Sequence, residues 1–374
     1  MKYSVILPCR NEEKTIATCI RKVRKAMENY GVPREDYEII VSDSSTDNSV
    51  HISQEEGAKI VKHEIGYGQA YLRGFQLAKG EIILMGDSDN TYDFLELPKL
   101  LAHIEENDFV IGIRKNIKKG AMPLLHKYLG NPLLSGLLRL FFKTKIRDAH
   151  CGLRIIKKEK LDSLNLKTTG MEFASEMIIK ALQTNLKIKQ VPISYYPRLG
   201  ESNLKSFRDG WRHLRFMLMF APDYLFLIPG FLLFFIGIII MLIFLQTPVN
   251  LFGITLYNRP IFLGSFFTIL GFQVVMIGLF AKAYMKSIGL IKEDKTLKWI
   301  SRHINFESGI LAGGILLLVC LFLTIKLFIE WYIQKFPEMM SNDLIFLFTL
   351  AIIAVNMMFS TFFISIMLVH RDGK

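Results

Sequence analysis

Four stretches of this chain are nearly free of charge: Tyr224 to Leu245, Pro260 to Tyr284, Gly309 to Ile329 and Leu344 to Val369. Each reaches the roughly 20 residues a helix needs to cross the hydrocarbon core of a bilayer. A single run of this kind also suits a buried core helix, but four in succession point to lipid. The chain's 374 residues are 51% hydrophobic, high for a wholly soluble protein, and the excess sits in these runs. Up to about residue 220, charged and apolar residues are mixed. The sequence therefore predicts a water-facing domain at 1–222 and a membrane domain at 223–374 with helices near 224–245, 260–284, 309–329 and 344–369.

Loop charge predicts orientation, because Lys and Arg accumulate on the cytoplasmic side. The loop between the second and third runs carries Lys282, Lys286, Lys292, Lys295, Lys298 and Arg302, whereas the other two loops carry only Arg259 and Lys335. The N-terminal domain and both termini are then expected in the cytoplasm, with no signal peptide, in a multi-pass protein of a prokaryotic plasma membrane. Cys9, Cys19, Cys151 and Cys320 show no metal-ligand spacing and read as free thiols. The formal charge of +12 suits anionic lipid and phosphorylated substrates, and no nucleic-acid-binding signature accompanies it.

Through the first half, β-rich runs alternate with helical stretches: "YSVILP", "YEIIVSD", "AKIVKH", "EIILMGD" and "DFVIG", separated by helical periodicity at 12–30, 67–79 and 94–106. This rhythm predicts an α/β domain with a mainly parallel sheet and helices on both faces. Ligands of such sheets bind beyond the carboxyl ends of the strands, where "PCRNEE", "SDSSTDNS" and "GDSDNTYD" all fall. Further on, helices are expected at 122–143 and 171–184, and strands in "LKIKQVPISYYP". Residues 203–220 set Lys205, Arg208, Arg212 and Arg215 on one helical side and Phe207, Trp211, Leu214 and Leu218 on another, as in an interfacial helix.

Asp87 and Asp89, one residue apart at a strand end, can share a Mg²⁺ or Mn²⁺ ion, which prefers hard oxygen ligands and takes others from substrate phosphates. A bare D-x-D is also common on solvated turns. Asp93 is expected to cap the helix that follows, and Asp47 reads either as a cap or as a ligand contact. Asp43 ends a second strand, where a carboxylate can accept from a nucleobase or ribose. Gly66 and Gly68 lack the third glycine of a dinucleotide fingerprint and are expected to let a loop pass close to a nucleotide sugar. Asp148 and Arg154 either order an acceptor loop or form an ion pair, and Glu172 and Glu176 either wall the site or lie on a helix surface. His150 has no triad-like partners and reads as a hydrogen-bonded loop histidine.

In order and spacing, "SVILPCRNEE", "SDSSTDNS", "GYGQAYLRGF" and "GDSDNTYD" resemble the inverting family-2 glycosyltransferases with the nucleotide-sugar-binding GT-A fold. "RDAHCGLRII", "GMEFASEMII" and "PRLGESNLKSFRDGWRHLRFM" narrow the resemblance to polyprenyl-phosphate glycosyltransferases, similar to dolichyl-phosphate mannose and glucose synthases. The resemblance implies a Rossmann-like GT-A domain followed by amphipathic interface helices and the four-helix membrane region. It implies a donor site at Pro8, Arg10, Asn11, Glu12, Gly68 and Arg73, with Asp43 on the base, Asp87 near the sugar or ribose and Asp89 on the metal. Relatives usually read D-D-x-S where this chain has Ser42-Asp43-Ser44-Ser45, so the first acid is missing. They often carry Gln after the metal motif, where Asn90 and Thr91 stand here.

The acceptor side follows from charge. A polyprenyl or dolichyl monophosphate carries nearly two negative charges at neutral pH, so its oxygen is already nucleophilic and a strong base is not required. Arg198, Ser202 and Lys205, with Arg208 behind them, are the first phosphate-binding candidates, and Arg198 also joins Asp87 and Asp89 as a catalytic candidate. Lys127 and Arg139 either add phosphate contacts or face headgroups. The expected partners are a nucleotide sugar (UDP-glucose or GDP-mannose type), the lipid phosphate and the bilayer, with homo-oligomerisation left open. Two alternatives stand beside this: a processive polysaccharide synthase, which usually carries a Q-x-x-R-W absent here, and a non-catalytic nucleotide-sensing glycolipid transporter.

Overall fold

In the computed structural model the described residues are 1–122, 128, 130–199, 206–246, 249–251, 254–256, 259–288, 291, 297–299, 306–334 and 341–369. The chain divides into two compact units, Met1–Phe220 and Ala221–Lys374.

In the first unit β1 (Tyr3–Cys9), β2 (Tyr37–Asp43), β3 (Lys59–Lys62), β4 (Ile82–Met85), β5 (Phe109–Ile117), β6 (Arg154–Lys157) and β7 (Ile188–Tyr195) form one sheet in the order β3-β2-β1-β4-β6-β5-β7. The helices are α1 (Ile16–Asn29), α2 (Ser49–Glu55), α3 (Tyr67–Leu77), α4 (Leu97–Leu101), α5 (Asn131–Phe142), α6 (Lys158–Ser163), α7 (Phe173–Gln183) and α8 (Ser206–Met219). β1 pairs in parallel with both β2 and β4, and its side chains are buried along nearly the whole strand. That is why it reads as a continuous apolar run and not an alternating one. α1 buries Ile16, Cys19, Ile20, Val23, Ala26 and Met27, the spacing of one helical face.

The sheet is mainly parallel, with one inversion. β6 runs antiparallel to both β4 and β5, while β5 and β7 pair in parallel. The chain leaves β1 toward β2 and β3 on one side and returns to β4 on the other, which places the topological switch point between β1 and β4. Two inversions across β6 restore direction, so β7 also delivers its carboxyl end to that edge.

In the second unit the turn Asp223–Leu227 leads into α9 (Ile228–Ile243), followed by α10 (Arg259–Ser287), α11 (Phe306–Ile333) and α12 (Ser341–Val369). Among the described residues four helices are long and apolar enough to cross a membrane: Asp223–Ile243, Arg259–Ser287, Phe306–Ile333 and Asn342–Met367. Between 11% and 33% of their apolar windows is buried, so the apolar mass faces outward, unlike that of core helices in a soluble protein. Gly230 and Gly237 of α9 lie against Gly271 and Gly264 of α10, the small-residue contact that lets helix backbones approach closely. Lys282 of α10 is buried and bonds Asp223 at 2.6 Å.

Candidate active site

A cavity of about 400 Å³ opens at the switch point. Pro8, Cys9, Arg10 and Glu12 wall it from the end of β1, Ser44 from the end of β2, and Asp87, Ser88 and Asp89 from the end of β4. The rest of the lining is Thr169–Met171 ahead of α7, Tyr195 at the end of β7 and Arg198 beyond it, and Arg208 and Arg212 on α8. Four strand ends and a helix thus bring distant parts of the sequence to one crevice.

Arg198 ties the carboxylates together. Its guanidinium donates to Asp89 at 3.2 Å and also to the carboxylate of Glu12. The other oxygen of Asp89 accepts from the backbone and hydroxyl of Thr91, at 3.0 and 2.6 Å. The carbonyl of Thr91 in turn accepts from Tyr196, so one residue fixes Asp89 and the strand exit that carries Arg198. Arg114 lies 5.2 Å from the ring centre of Tyr195 and forms a buried two-pronged ion pair with Asp148, both contacts 2.7 Å.

Asp87 sits deeper. Tyr67 and Tyr71 donate to its Oδ1 at 3.1 and 3.5 Å, and Gly152 flanks its Oδ2, where an added Cβ would come within 2.7 Å. Burial, followed by the charge of Asp89, pushes the Asp87 carboxyl up to about 7 against the pull of Tyr67 and Arg198. Burial likewise raises Glu12 to about 7, with Arg198 opposing it.

The wall at 169–171 is held by an acid of α7. Glu176 is buried and accepts from the backbone of Lys167 and Thr168 and from the Thr168 hydroxyl, the last at 2.6 Å, while pairing with Lys180 at 2.8 Å. Gly68 packs on this loop from α3, where any side chain would collide with the Thr168 carbonyl.

The sequence-predicted residues separate accordingly. Pro8, Arg10, Glu12, Asp87, Asp89, Arg198 and Arg208 line the cavity. Asn11, Asp43, Gly68 and Arg73 are not on its wall. Asn11 adopts φ 57° and accepts from Thr46 at 2.9 Å, and the buried Asp43 accepts from the backbone and hydroxyl of Ser45 at 3.0 and 2.6 Å. Arg73 is exposed and bonds Gln76, because it falls on the outer face of α3, opposite Gly74, which packs on β1. Arg139 is exposed on α5. Lys127, Ser202 and Lys205 lie outside the described residues.

Asp93 caps the turn after it, accepting from Leu95 at 3.3 Å, and Asp47 accepts from Ser49 at 3.0 Å at the start of α2. Asp148 pairs with Arg114 and not with Arg154, whose buried guanidinium donates to the carbonyls of Ala149, Cys151 and Ala174. On α8, His213 and Met217 face the interior, Trp211 is 55% exposed, and Arg208 and Arg212 line the cavity. The Tyr67 and Tyr71 hydroxyls and Arg212 received no site role from the sequence; the signal available for the tyrosines was their place in "GYGQAY", one turn apart.

Residues 4–164 match the model of Glycosyl transferase family 2, and residues 279–368 match the Glycosyltransferase family 2 C-terminal transmembrane region. Over 320 residues, 84% of this chain and 76% of the relative, the sequence is 41% identical to the low-salt glycan biosynthesis hexosyltransferase Agl6 of Haloferax volcanii. The chain belongs to glycosyltransferase family 2. It is also similar to the dolichyl-phosphate hexose transferase of Haloferax volcanii, 28% identical over 55% of this chain and 88% of that one. With the dolichol-phosphate mannosyltransferase of Pyrococcus furiosus it shares 27% identity over 55% of this chain and 60% of that one. A crystal structure of glucosyl-3-phosphoglycerate synthase from Mycobacterium tuberculosis with Mn²⁺, UDP and glucosyl-3-phosphoglycerate aligns at a TM-score of 0.47 and 22% identity, covering 59% of this chain and 80% of that one.

For a family-2 glycosyltransferase the donor set at the cavity floor fits a hard divalent cation. Among the described residues no group of three or more His, Cys, Asp or Glu side chains could enclose a metal by itself. Two carboxylates one residue apart suit an ion that keeps most positions for water or a substrate diphosphate. Arg198 also lays positive charge on Asp89.

Proposed function

We propose that this glycosyltransferase moves one hexose, with inversion, from a nucleotide sugar to a polyprenyl or dolichyl phosphate on the cytoplasmic face of a prokaryotic plasma membrane. The observation that carries the reading is the meeting of Asp87 and Asp89 with Arg198 and Arg208 around one cavity, in a chain that continues into four span-length helices. Arg10 and Glu12 bind the nucleotide side of the donor, with Pro8 as backbone wall, and Asp43 supports the base-binding loop through Ser45. Asp89, with Asp87 beside it, would hold Mg²⁺ or Mn²⁺, which supplies neutralisation of charge on the leaving diphosphate.

The remaining work falls to side chains. Asp87, fixed by Tyr67 and Tyr71, accepts a hydroxyl of the sugar or ribose. Arg198 holds Glu12 and Asp89 in register, and Arg208 meets the acceptor phosphate. A phosphate oxygen attacks the anomeric carbon from the face opposite the diphosphate, the anomeric carbon–oxygen bond to the diphosphate breaks, and the lipid leaves as a monophosphosugar. No proton needs to be removed from a dianionic phosphate, so positioning and charge control dominate. Dolichyl-phosphate transferase relatives and the basic loop between the second and third apolar runs support the acceptor class and the membrane face.

The test is transfer in membranes supplied with labelled sugar nucleotides and a polyprenyl phosphate, the lipid product identified by mass. Asp89→Asn is expected to abolish metal-dependent transfer; retention of wild-type activity would overturn the metal assignment. Absence of any lipid-linked sugar from the wild type across a panel of donors would overturn the reaction.

A further inference from the structure

The turn that carries Asp89 belongs to no strand or helix. It runs from the end of β4 at Met85 to the short 3-10 turn Phe94–Glu96, and Asn90 within it takes a left-handed backbone, φ 58°. Thr91 fixes the Asp89 carboxylate inside this turn and ties it to the exit of β7 through Tyr196. On the other side the turn is held by α1.

The sequence sets Thr15, Cys19 and Lys22 at i, i+4 and i+7, one face of the helix that begins at Ile16. The Thr15 hydroxyl donates to the Ser88 carbonyl at 2.8 Å, and the buried Cys19 thiol donates to the same carbonyl at 3.3 Å. One turn on, Lys22 donates to the side-chain carbonyl of Asn90 at 3.0 Å and pairs with Asp93 at 3.3 Å. Ser88 and Asn90 are the two neighbours of Asp89, so α1 grips the chain on both sides of the candidate metal ligand. Lys22 and Asn90 do not line the cavity, and any effect they have on the reaction passes through Asp89. An ion pair whose lysine is 29% exposed contributes little to folding stability, which leaves geometry as what this lysine supplies.

We propose that Lys22 is a positioning residue for the divalent cation: it holds Asn90 in its left-handed conformation and thereby sets the direction in which Asp89 presents its carboxylate. The inference rests on the metal role given to Asp89 above and adds the residue, outside the cavity, that tunes it. A site of this kind needs its ligands held to within about 0.5 Å, and loss of an outer partner of a metal ligand typically costs about 10–100-fold in affinity.

The experiment uses the purified full-length protein in detergent and measures Mn²⁺ binding without turnover by equilibrium dialysis, first alone and then with UDP or GDP on both sides of the dialysis membrane. Lys22→Met is expected to raise the Mn²⁺ Kd about tenfold, with Lys22→Arg recovering most of the loss and the Tm of both within about 2 °C of wild type. Asn90→Gly keeps the left-handed backbone but deletes the acceptor, so it should weaken Mn²⁺ to a similar extent, and the double variant Lys22→Met/Asn90→Gly should bind no worse than either single one. In transfer assays the Mn²⁺ concentration for half-maximal rate should rise about tenfold in Lys22→Met, while kcat at saturating Mn²⁺ stays within about twofold. Unchanged Mn²⁺ affinity in Lys22→Met overturns the inference, as do additive losses in the double variant, which would show that Lys22 does not act through Asn90. Should Lys22→Met fail to fold, Lys22→Gln and Asn90→Gly carry the same comparison. Mn²⁺ bound equally by wild type and Lys22→Met removes the positioning role alone, whereas a wild type that binds no Mn²⁺ with either nucleotide removes the metal assignment and the inference with it.

Discussion

Replacing Asp148 by Asn tests whether the back wall of the cavity depends on a buried charge pair. Asp148 is 4% exposed and accepts three hydrogen bonds from Arg114, at 2.7, 2.7 and 3.2 Å, while also lying 3.4 Å from Asn131 at the start of α5. Burial alone would raise its carboxyl, but the charge and hydrogen bonds of Arg114 overcome this and hold it down to about 2, from an ordinary 3.8. At about 1.4 kcal/mol per unit the depression is worth about 2 kcal/mol of folding stability. Asn also leaves the Arg114 guanidinium buried and short of its counter-charge, which brings the expected loss to about 3–5 kcal/mol, far beyond the ~0–1 kcal/mol of an exposed pair. For a unit of this size that is a fall in apparent Tm on the order of 10 °C. Because the folded carboxyl is depressed, its contribution is complete above about pH 4 and disappears as pH falls through about 2. The gap between wild type and Asp148→Asn in thermal melts of the full-length protein should therefore narrow below pH 4. The apolar double variant Arg114→Met/Asp148→Leu should be the milder of the two, since no charge is left unpaired. A single variant melting within about 2 °C of wild type at pH 7 would refute the reasoning.

Two further outcomes concern the cavity. Tyr67→Phe removes a donor from the Asp87 carboxylate, so in the metal-free, donor-free protein the ionisation of this carboxyl should move up by about one unit from a value already near 7, read by NMR titration; an unmoved titration would show that Tyr67 does not stabilise the carboxylate. The same raised carboxyls make the donor-free protein lose stability as pH rises from about 4 through about 7, opposite in sense to Asp148. Glu176→Gln weakens four contacts that hold residues 167–168 and should cost about 2 kcal/mol locally, read as faster amide exchange at 167–171, with a donor KM about tenfold higher and a smaller change in kcat. Unchanged exchange would show that the loop is held by other means.

What the sequence made legible has a common physical origin: features set within a few residues. The apolar runs of β1, β2 and β4 reflect burial on both faces of a parallel sheet, and the caps at Asp47 and Asp93 follow from a carboxylate two residues ahead of an orphan N–H. β6 escaped because a buried central strand looks the same whichever way it runs; "RIIK" carries no mark of direction, and only the pairing with β4 and β5 supplies it. Asp148 was legible as a charged residue near Arg154, yet its partner comes from β5, 34 positions upstream. Arg154, nearer in sequence, spends its donors on three carbonyls of its own loop and helix. On α8 the missing information was again long-range: the spacing marks a helix with a basic side, but which residues the domain buries depends on partners far away in the chain, such as Ser175, 38 positions before the buried His213. With His213 and Met217 inside, Arg208 and Arg212 line the cavity.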